Sequence, residues 1–573
     1  MKIKNLQKIP SINLVITILF ISLFIIYYSS FLNYGLPYFL NADEVAHLKS
    51  VLYYFGFFSS ANKNIVEPLF APFFNFLISG VLIFLNNLFF LKLSIFELEN
   101  FIFLNPDKLV FFLRAASLIT SCFSFFILFL IIKKLKINFL LYLLITVSIF
   151  FSPFILDVSL IAGKNASLLL FFLLQFYIFI KYYLKISSFN FKSYILFSIL
   201  ASLSWGINYW CATPSIYGIA LLHYNKYKFK KFKFLFIFLF IFLIFGIFPN
   251  LLLTSDNPLI HLFANTIMEN YDNSSKINKF YQDIKSTFYI FFNFEKLLLF
   301  ALIISFIFAK YLTKIEKGLI FSIFFLSIEP AILFAVASYS YPQLRYFGPS
   351  IILMHLLIVI ILDRAVKSKD FNFKFSIIFH VIIIILFITI FDKIKLTRKY
   401  LKVLNNNYNQ YEAFNYLKDS ENQTLIITPA LYRENVNNLN FFEFLLTNKL
   451  IVLNPNADNK NSFEQLIVKK NKIENSSRAN IYPNSKQFIF FGGEYLIQNE
   501  YNFLNEVSKK FKFILIHGGY AELINILKKN YKLEKSFEND GAETARGYLS
   551  EIRSTKFSNI KKIGPTLYLF KLN

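Results

Sequence analysis

Cysteine, histidine, tryptophan and methionine are scarce in this sequence, and charged residues are scarce as a class. Only 2 of the 573 residues are cysteine, Cys122 and Cys211. Both lie in or beside apolar stretches, which excludes a disulfide scaffold and leaves the C-terminal third without a thiolate metal site. Charged side chains make up 16% of the chain, against roughly a quarter in soluble domains, so a water-soluble fold over the whole length is excluded. Long apolar runs are absent in one place only, beyond Lys393.

Apolar side chains make up 56% of the sequence, and up to Phe391 they form runs of Phe, Ile and Leu separated by short charged connections. Many of these runs are long enough to cross roughly 30 Å of hydrocarbon. Spans are expected at 11–31, 110–132, 139–156, 166–182, 193–209, 211–224, 234–253, 293–309, 318–337, 346–363 and 375–391. The stretch 211–224 is short for a complete crossing and reads equally as part of a broken helix. The first run follows a basic flank with no small-residue cleavage motif, as in a signal anchor. The expected architecture is a polytopic α-helical membrane protein, with a membrane domain over 1–392 and a soluble α/β domain over 400–573.

The net charge of +25 sits largely in lysine clusters between the apolar runs, so topology explains it better than a nucleic acid partner. With the N-terminus cytoplasmic, five clusters fall inside: Lys133/Lys134/Lys136, Lys181/Lys185, Lys226 to Lys233, Lys310/Lys314/Lys317 and Arg364/Lys367/Lys369/Lys374. This arrangement requires the apolar stretch 68–90 to lie along or dip into the outer face rather than cross. One cluster disagrees, Lys393/Lys395/Arg398/Lys399, which follows the last span on the expected outer side. The expected location is a bacterial-type cell membrane, with loops 32–109 and 254–292 and the C-terminal domain all extracytoplasmic.

In the C-terminal domain, YEAFNYLKDS is amphipathic, and TLIITPALY, KLIVLN, KQFIFFGG and KFKFILIHGG are strand candidates. SFEQLIVKK reads as a further helix, and the alternation predicts a largely parallel sheet. Gly492/Gly493 and Gly518/Gly519 belong to no phosphate-loop motif and read as turn residues; His517 and Glu522 carry no stronger claim.

The sharpest local feature is YGLPYFLNADEVAHLKSVLYYFGFF, where Asp43 and Glu44 follow the first span. Adjacent acids in a membrane-proximal, charge-poor segment suit a general base and a hydrogen-bond acceptor beside a membrane-held substrate; a solvated helix N-terminus would select the same residues. His47, one turn after Asp43, shares its helical face. Further segments follow in order: EPLFAPFFNFLISGVLIFLNNLFF, FFLRAASLI, FSPFILDVSLIAGKNASLLLFFLLQFYIF and YPQLRYFGPSIIL. Together they resemble the C-type membrane glycosyltransferases of the protein O-mannosyltransferase and aminoarabinose transferase superfamily, over about 360 residues of the chain.

The resemblance implies a GT-C-like membrane fold. It also implies inverting transfer of a sugar from a polyprenyl-phosphate donor to a lipid, glycan or protein acceptor at the outer face, with membrane lipids as surroundings. Asp43 matches the catalytic acid, with Glu44 orienting the acceptor or supporting a metal. Arg345 beside Tyr346 is the phosphate-ligand candidate, since a guanidinium grips phosphate bidentately; snorkelling is its structural alternative. Arg114 matches a residue that organises helix contacts. Lys63 and His261 are weaker substrate-binding candidates, and Glu269, Asp272 and Asp283 are spaced too loosely to argue a metal site. The chain departs from the pattern at Asn165, where relatives often carry an acid, and at Glu67, where aminoarabinose transferases carry lysine before the proline helix. An amide is a poorer ligand than a carboxylate, so a divalent metal is left open and no other cofactor is implied. Two other classes stay in view, a transporter of lipid-linked substrate and a noncatalytic assembly protein whose outer domain binds a partner.

Overall fold

The computed structural model describes residues 10–33, 44, 47, 70–94, 97–98, 106–228, 230–249, 276–336, 344–368, 373–406, 409–418, 424–428, 450–453, 487–491, 511–518, 521–538 and 566–572. Contacts divide the chain into two units. Met1–Leu32, Ala46–Gly80 and Leu113–Arg398 form the first; Asn33–Val45, Val81–Phe112 and Lys399–Asn573 form the second.

Helices α1 (Pro10–Ser29), α2 (Phe70–Asn86), α3 (Pro106–Leu135), α4 (Phe139–Phe150), α5 (Pro153–Leu160), α6 (Asn165–Leu184) and α7 (Phe191–Trp205) come first. They are followed by α8 (Thr213–Tyr227), α9 (Lys233–Phe242), α10 (Lys276–Ser305), α11 (Lys314–Val336), α12 (Gly348–Lys367) and α13 (Phe373–Asn406). Among the described residues, 5 helices are long and apolar enough to cross a membrane: Phe73–Leu91, Lys108–Leu135, Asn165–Leu184, Gly348–Lys367 and Ser376–Arg398. A bent pair, α4 and α5 at 60°, makes a sixth if it is one span. The chain is therefore a multi-pass membrane protein. The stretch expected to lie along the outer face passes the same test of length and composition, so only the charge argument separates it from a crossing helix. The doubtful pair 193–209 and 211–224 forms two 15-residue helices, α7 and α8, joined by a 3-10 turn at Tyr209–Ala212.

Burial runs opposite to that of a soluble protein. Large apolar side chains face outward, as at Val15, Phe84, Phe90, Phe236 and Phe391, which suits contact with lipid tails, while serines and threonines point inward. Inside, many hydroxyls satisfy themselves on the carbonyl one turn back: Thr120 on Ala116, Ser121 on Ser117, Ser124 on Thr120, Ser198 on Tyr194 and Ser202 on Ser198. Helix α12 is the central pillar, with 89% of its apolar window buried. Close approach is specified at Gly246, where a Cβ would come within 2.9 Å of the Ser202 backbone. Any larger residue there would push the chain after α9 away from α7.

At one end of this unit the carbonyls that close α3 are bonded by cations from α12. Arg364 donates to Leu135 O at 2.9 Å and Lys367 to Lys136 O at 2.7 Å. Asp363 joins the same knot, accepting from Asn138 N at 2.8 Å and from Arg364 and Lys367 at 2.6 and 2.7 Å. Cations at a helix C-terminus meet both the orphan carbonyls and the negative end of the dipole. Glu316 completes the clasp with an ion pair to Arg364 at 2.5 Å. It also forms a capping box with Thr313 at the start of α11: Thr313 N donates to Glu316 Oε2 at 2.9 Å, and Glu316 N donates to Thr313 Oγ1 at 3.3 Å.

In the second unit, α14 (Asn409–Lys418) precedes strands β1 (Thr424–Thr428), β2 (Leu450–Leu453), β3 (Gln487–Phe491) and β4 (Phe513–His517). Helix α15 (Ala521–Asn530) and strands β5 (Lys532–Phe537) and β6 (Leu567–Lys571) follow. They build one 6-stranded sheet in the order β2-β3-β1-β4-β6-β5. The four strands anticipated in the sequence pair in parallel, with Leu425 between Phe488 and Ile514. The two not anticipated, β5 and β6, add antiparallel at one edge, where His517 faces Leu567. The expected helix SFEQLIVKK lies outside the described residues. Helical periodicity explains α15, which buries Leu523, Ile524 and Leu527 and keeps Lys528 and Lys529 exposed. Gly518 is required by close approach, because a Cβ there would sit 3.0 Å from Thr566 O. The chain thus combines a largely helical region with a small β-containing C-terminal region.

The clasp predicts a pH effect. Burial alone would raise the Glu316 carboxyl, but hydrogen bonds from the Thr313 backbone and hydroxyl and the Arg364 guanidinium outweigh it and hold the group below its ordinary value of 4.5. A depressed folded-state value contributes stability above 4.5 that is lost as pH falls below it. In micelles, acidifying the wild type below that point should lower its melting temperature. Glu316→Gln should lose about 1 kcal/mol of cap at neutral pH and show a flatter acid limb.

Candidate functional site

The residues singled out in the first outer segment divide between the units and the undescribed stretches. Glu44 is helical, buried rather than solvated, and belongs to the second unit. Asp43, Lys63 and His261 lie outside the described residues. Arg345 and Tyr346 share a 3-10 turn, Leu344–Phe347, at the entrance to α12. Tyr346 is half-buried, and the Arg345 side chain lies outside the described residues.

His47 is buried in the first unit and lies 3.1 Å from Asn75 Nδ2 on α2 through its Nε2. The same amide donates to Ser117 Oγ on α3 at 3.3 Å. Asn75 therefore ties the segment that follows the acidic pair to the proline helix and to the arginine-small-serine helix. Three residues earlier on α3, Arg114 is wholly buried and donates from Nη1 to Leu32 O at 2.9 Å, closing the end of α1. Arg114 thereby joins α3 to the end of α1. Asn165 opens α6, buried, with its Oδ1 lacking a hydrogen-bond partner.

A second constellation, which the sequence reading missed, is built around the Ser152-Pro153 break. Pro153 has no N–H, and the chain bends by 60° between α4 and α5, so the last carbonyls of α4 lose helical donors inside the hydrocarbon. Val147 O keeps its ordinary helical donor, Phe151 N at 3.3 Å, and the carbonyls beyond it find others: Ile149 O, deprived by Pro153, takes Ser152 N at 3.0 Å. Phe150 O takes the Tyr28 hydroxyl at 2.9 Å, and Phe151 O takes Thr397 Oγ1 at 2.9 Å. Ser148 O is left to Lys393 Nζ, at 3.4 Å.

Lys393 is 2% exposed and pairs with Glu295, 0% exposed, at 2.8 Å. Glu295 stands where α10 kinks, with non-helical backbone angles of φ −135° and ψ 26°, and its other oxygen accepts from Ser152 Oγ at 3.0 Å. Lys393 also lies 3.2 Å from Ser148 Oγ and 3.4 Å from His355 Nε2. The His355 ring is oriented by its own helix, since Nδ1 donates to Ile351 O at 2.7 Å and Nε2 is left to accept from Ser148 Oγ at 2.8 Å. The cluster is a neutral, hydrogen-bonded unit joining α4, α10, α12 and α13. A fully buried pair matched in charge is chemically quiet and positions the helix breaks rather than reacting. Its signal in the sequence is a lone acid in FFNFEKLLLF and a lone lysine in IFDKIK, with no local spacing to connect them.

Among the described residues no group of three His, Cys, Asp or Glu side chains is placed to hold a metal. No protein-family model matches the chain, and no curated protein matches it. The class is therefore carried by the fold: a polytopic α-helical membrane protein with a separate β-containing C-terminal region.

The Asn75 link is open to direct test. Asn75→Ala removes the contacts to His47 and Ser117 and should cost about 1–3 kcal/mol in a micelle-based unfolding assay. A change below a few tenths of a kcal/mol would show that the link contributes nothing.

Proposed function

We propose that the chain transfers a sugar from a polyprenyl-phosphate donor to an envelope lipid, glycan or protein at the outer face of the membrane. The observation that carries the reading is the His47–Asn75–Ser117 link, with Arg114 on Leu32. Segments that resemble successive elements of a glycosyltransferase site are bonded to one another rather than scattered. In the proposed step Asp43 accepts the acceptor proton, the acceptor oxygen attacks the anomeric carbon with inversion, and the lipid phosphate leaves toward Arg345. Glu44 and Tyr346 are assigned supporting roles.

The proposed orientation keeps the N-terminus cytoplasmic and the C-terminal region outside, in a bacterial-type cell membrane. Its weak point was the basic cluster after the last span. Pairing with Glu295 removes Lys393 from that cluster as a free charge, which leaves Lys395, Arg398 and Lys399. A second reading, carriage of a lipid-linked substrate across the membrane, draws on the carboxylates of Glu295 and Glu329 buried within spans.

Membranes containing the protein or Asp43→Asn, supplied with labelled polyprenyl-phosphate sugars and envelope extract, separate the two. The transferase reading expects labelled product from the wild type and a loss of about 100-fold or more in the variant. Equal product from both, or none from either with folded protein and a complete donor pool, would reject it.

A further inference from the structure

The buried carboxylates of the first unit are not all accounted for. Glu295 is paired and Asp363 is held in the clasp. Glu329, on α11, is 6% exposed, and both of its oxygens lack a hydrogen-bond partner. The residue after it is Pro330, inside the helix, so the Leu326 carbonyl loses the N–H that would ordinarily bond it. A carboxylate without hydrogen-bond partners and a carbonyl that has lost its helical donor thus share one turn of α11.

Thr213 and Cys211 lie beside Glu329. The Thr213 hydroxyl lies near enough to interact with the carboxylate, but its proton goes to Trp210 O at 2.8 Å, and the Cys211 thiol donates to Leu168 O at 3.4 Å. These residues belong to the break between α7 and α8. The neighbouring Asn208 Oδ1 and Ser215 Oγ are likewise buried without partners. Among the described residues, the helices packed against α11 carry Lys285, Glu295 and Lys296 on α10, His355, Asp363, Arg364 and Lys367 on α12, and His223 and Lys226 on α8; all but the exposed Lys285 and Lys296 are engaged elsewhere. No basic side chain is paired with Glu329 among them. An intramembrane carboxylate beside a helix break has the chemistry of a cation site, since unwound backbone and the carboxylate supply the oxygens that replace a hydration shell.

We propose that Glu329, with the Leu326 carbonyl and the α7–α8 break at Thr213, forms an intramembrane site for one monovalent cation, Na+ or a proton. This inference is independent of the transferase reading. The occupant neutralises a carboxylate that would otherwise be buried alone, and so couples cation binding to the packing of α11 on α8. That packing is visible where Tyr217 OH donates to Ser322 Oγ at 3.0 Å and its ring stacks on Phe325.

The sequence carries its own reporter, because its 2 tryptophans, Trp205 and Trp210, both lie at this break. Tryptophan emission of the full chain in micelles would be followed while Na+ replaces N-methylglucamine at constant ionic strength, and then across pH without Na+. A saturable Na+ response that is lost in Glu329→Gln identifies Na+ as the occupant. A one-proton transition without a Na+ response, also lost in that variant, identifies a proton. If Glu329→Gln does not fold, Glu329→Asp, which draws the charge back by one methylene, should shift the half-saturating concentration or the transition pH. No response to either cation overturns the proposal, as does a response that Glu329→Gln, or in its place Glu329→Asp, leaves unchanged.

Discussion

A peptide carbonyl left without a donor inside hydrocarbon is the constraint from which most of the first unit follows. The break before Pro153 creates several at once, and the fold answers with side chains from helices remote in sequence: Tyr28 from α1, and Lys393 and Thr397 from α13. Choosing lysine for one of these tasks brings a charge into the bundle, which would cost several kcal/mol unpaired. Glu295 offsets that charge, and the kink in α10 is where the carboxylate is presented. A backbone requirement thus leads to a buried cation, the cation to a buried anion, and the anion to a bent helix.

The unit is held at two depths. His355 and Asp363 lie on the same helix about 12 Å apart at the rise of an α-helix, the first in the ion-pair cluster and the second in the clasp that closes α3. Between and around these polar layers, packing is apolar and close, and α12 runs through both. Association of apolar helices in lipid gains little from the hydrophobic effect, so satisfied polar contacts and close packing decide which helices are neighbours. The Asn75 bridge and Arg114 on Leu32 apply the same device to the segments that resemble a glycosyltransferase site.

What the sequence makes legible is what each segment settles alone. Apolar runs satisfy their own backbone as helices, so the long crossings over 110–132, 166–182, 346–363 and 375–391 are found close to where they were expected. Strands β1 to β4 are short apolar runs ending in turn residues and could be read directly, whereas KLEKSF and LYLFK alternate charge or are too short to stand out. Pairings across the chain could not be read. Lys393 and Ser148 are 245 positions apart, so a lysine that looks like part of a basic loop cluster is in fact an interior group. That Arg114, Glu295, Glu329 and Lys393 are interior groups could not be read for the same reason. Asp43, Lys63 and His261 rest on the sequence alone.

The central claim is that Lys393 and Glu295 form one interior unit, and a double-mutant cycle in a micelle-based unfolding assay tests it most directly. Glu295→Gln and Lys393→Met should each cost about 3–5 kcal/mol by stranding the partner, and the double variant should recover much of that loss. Single effects within about 0.5 kcal/mol of wild type, or costs that simply add in the double variant, would contradict the account.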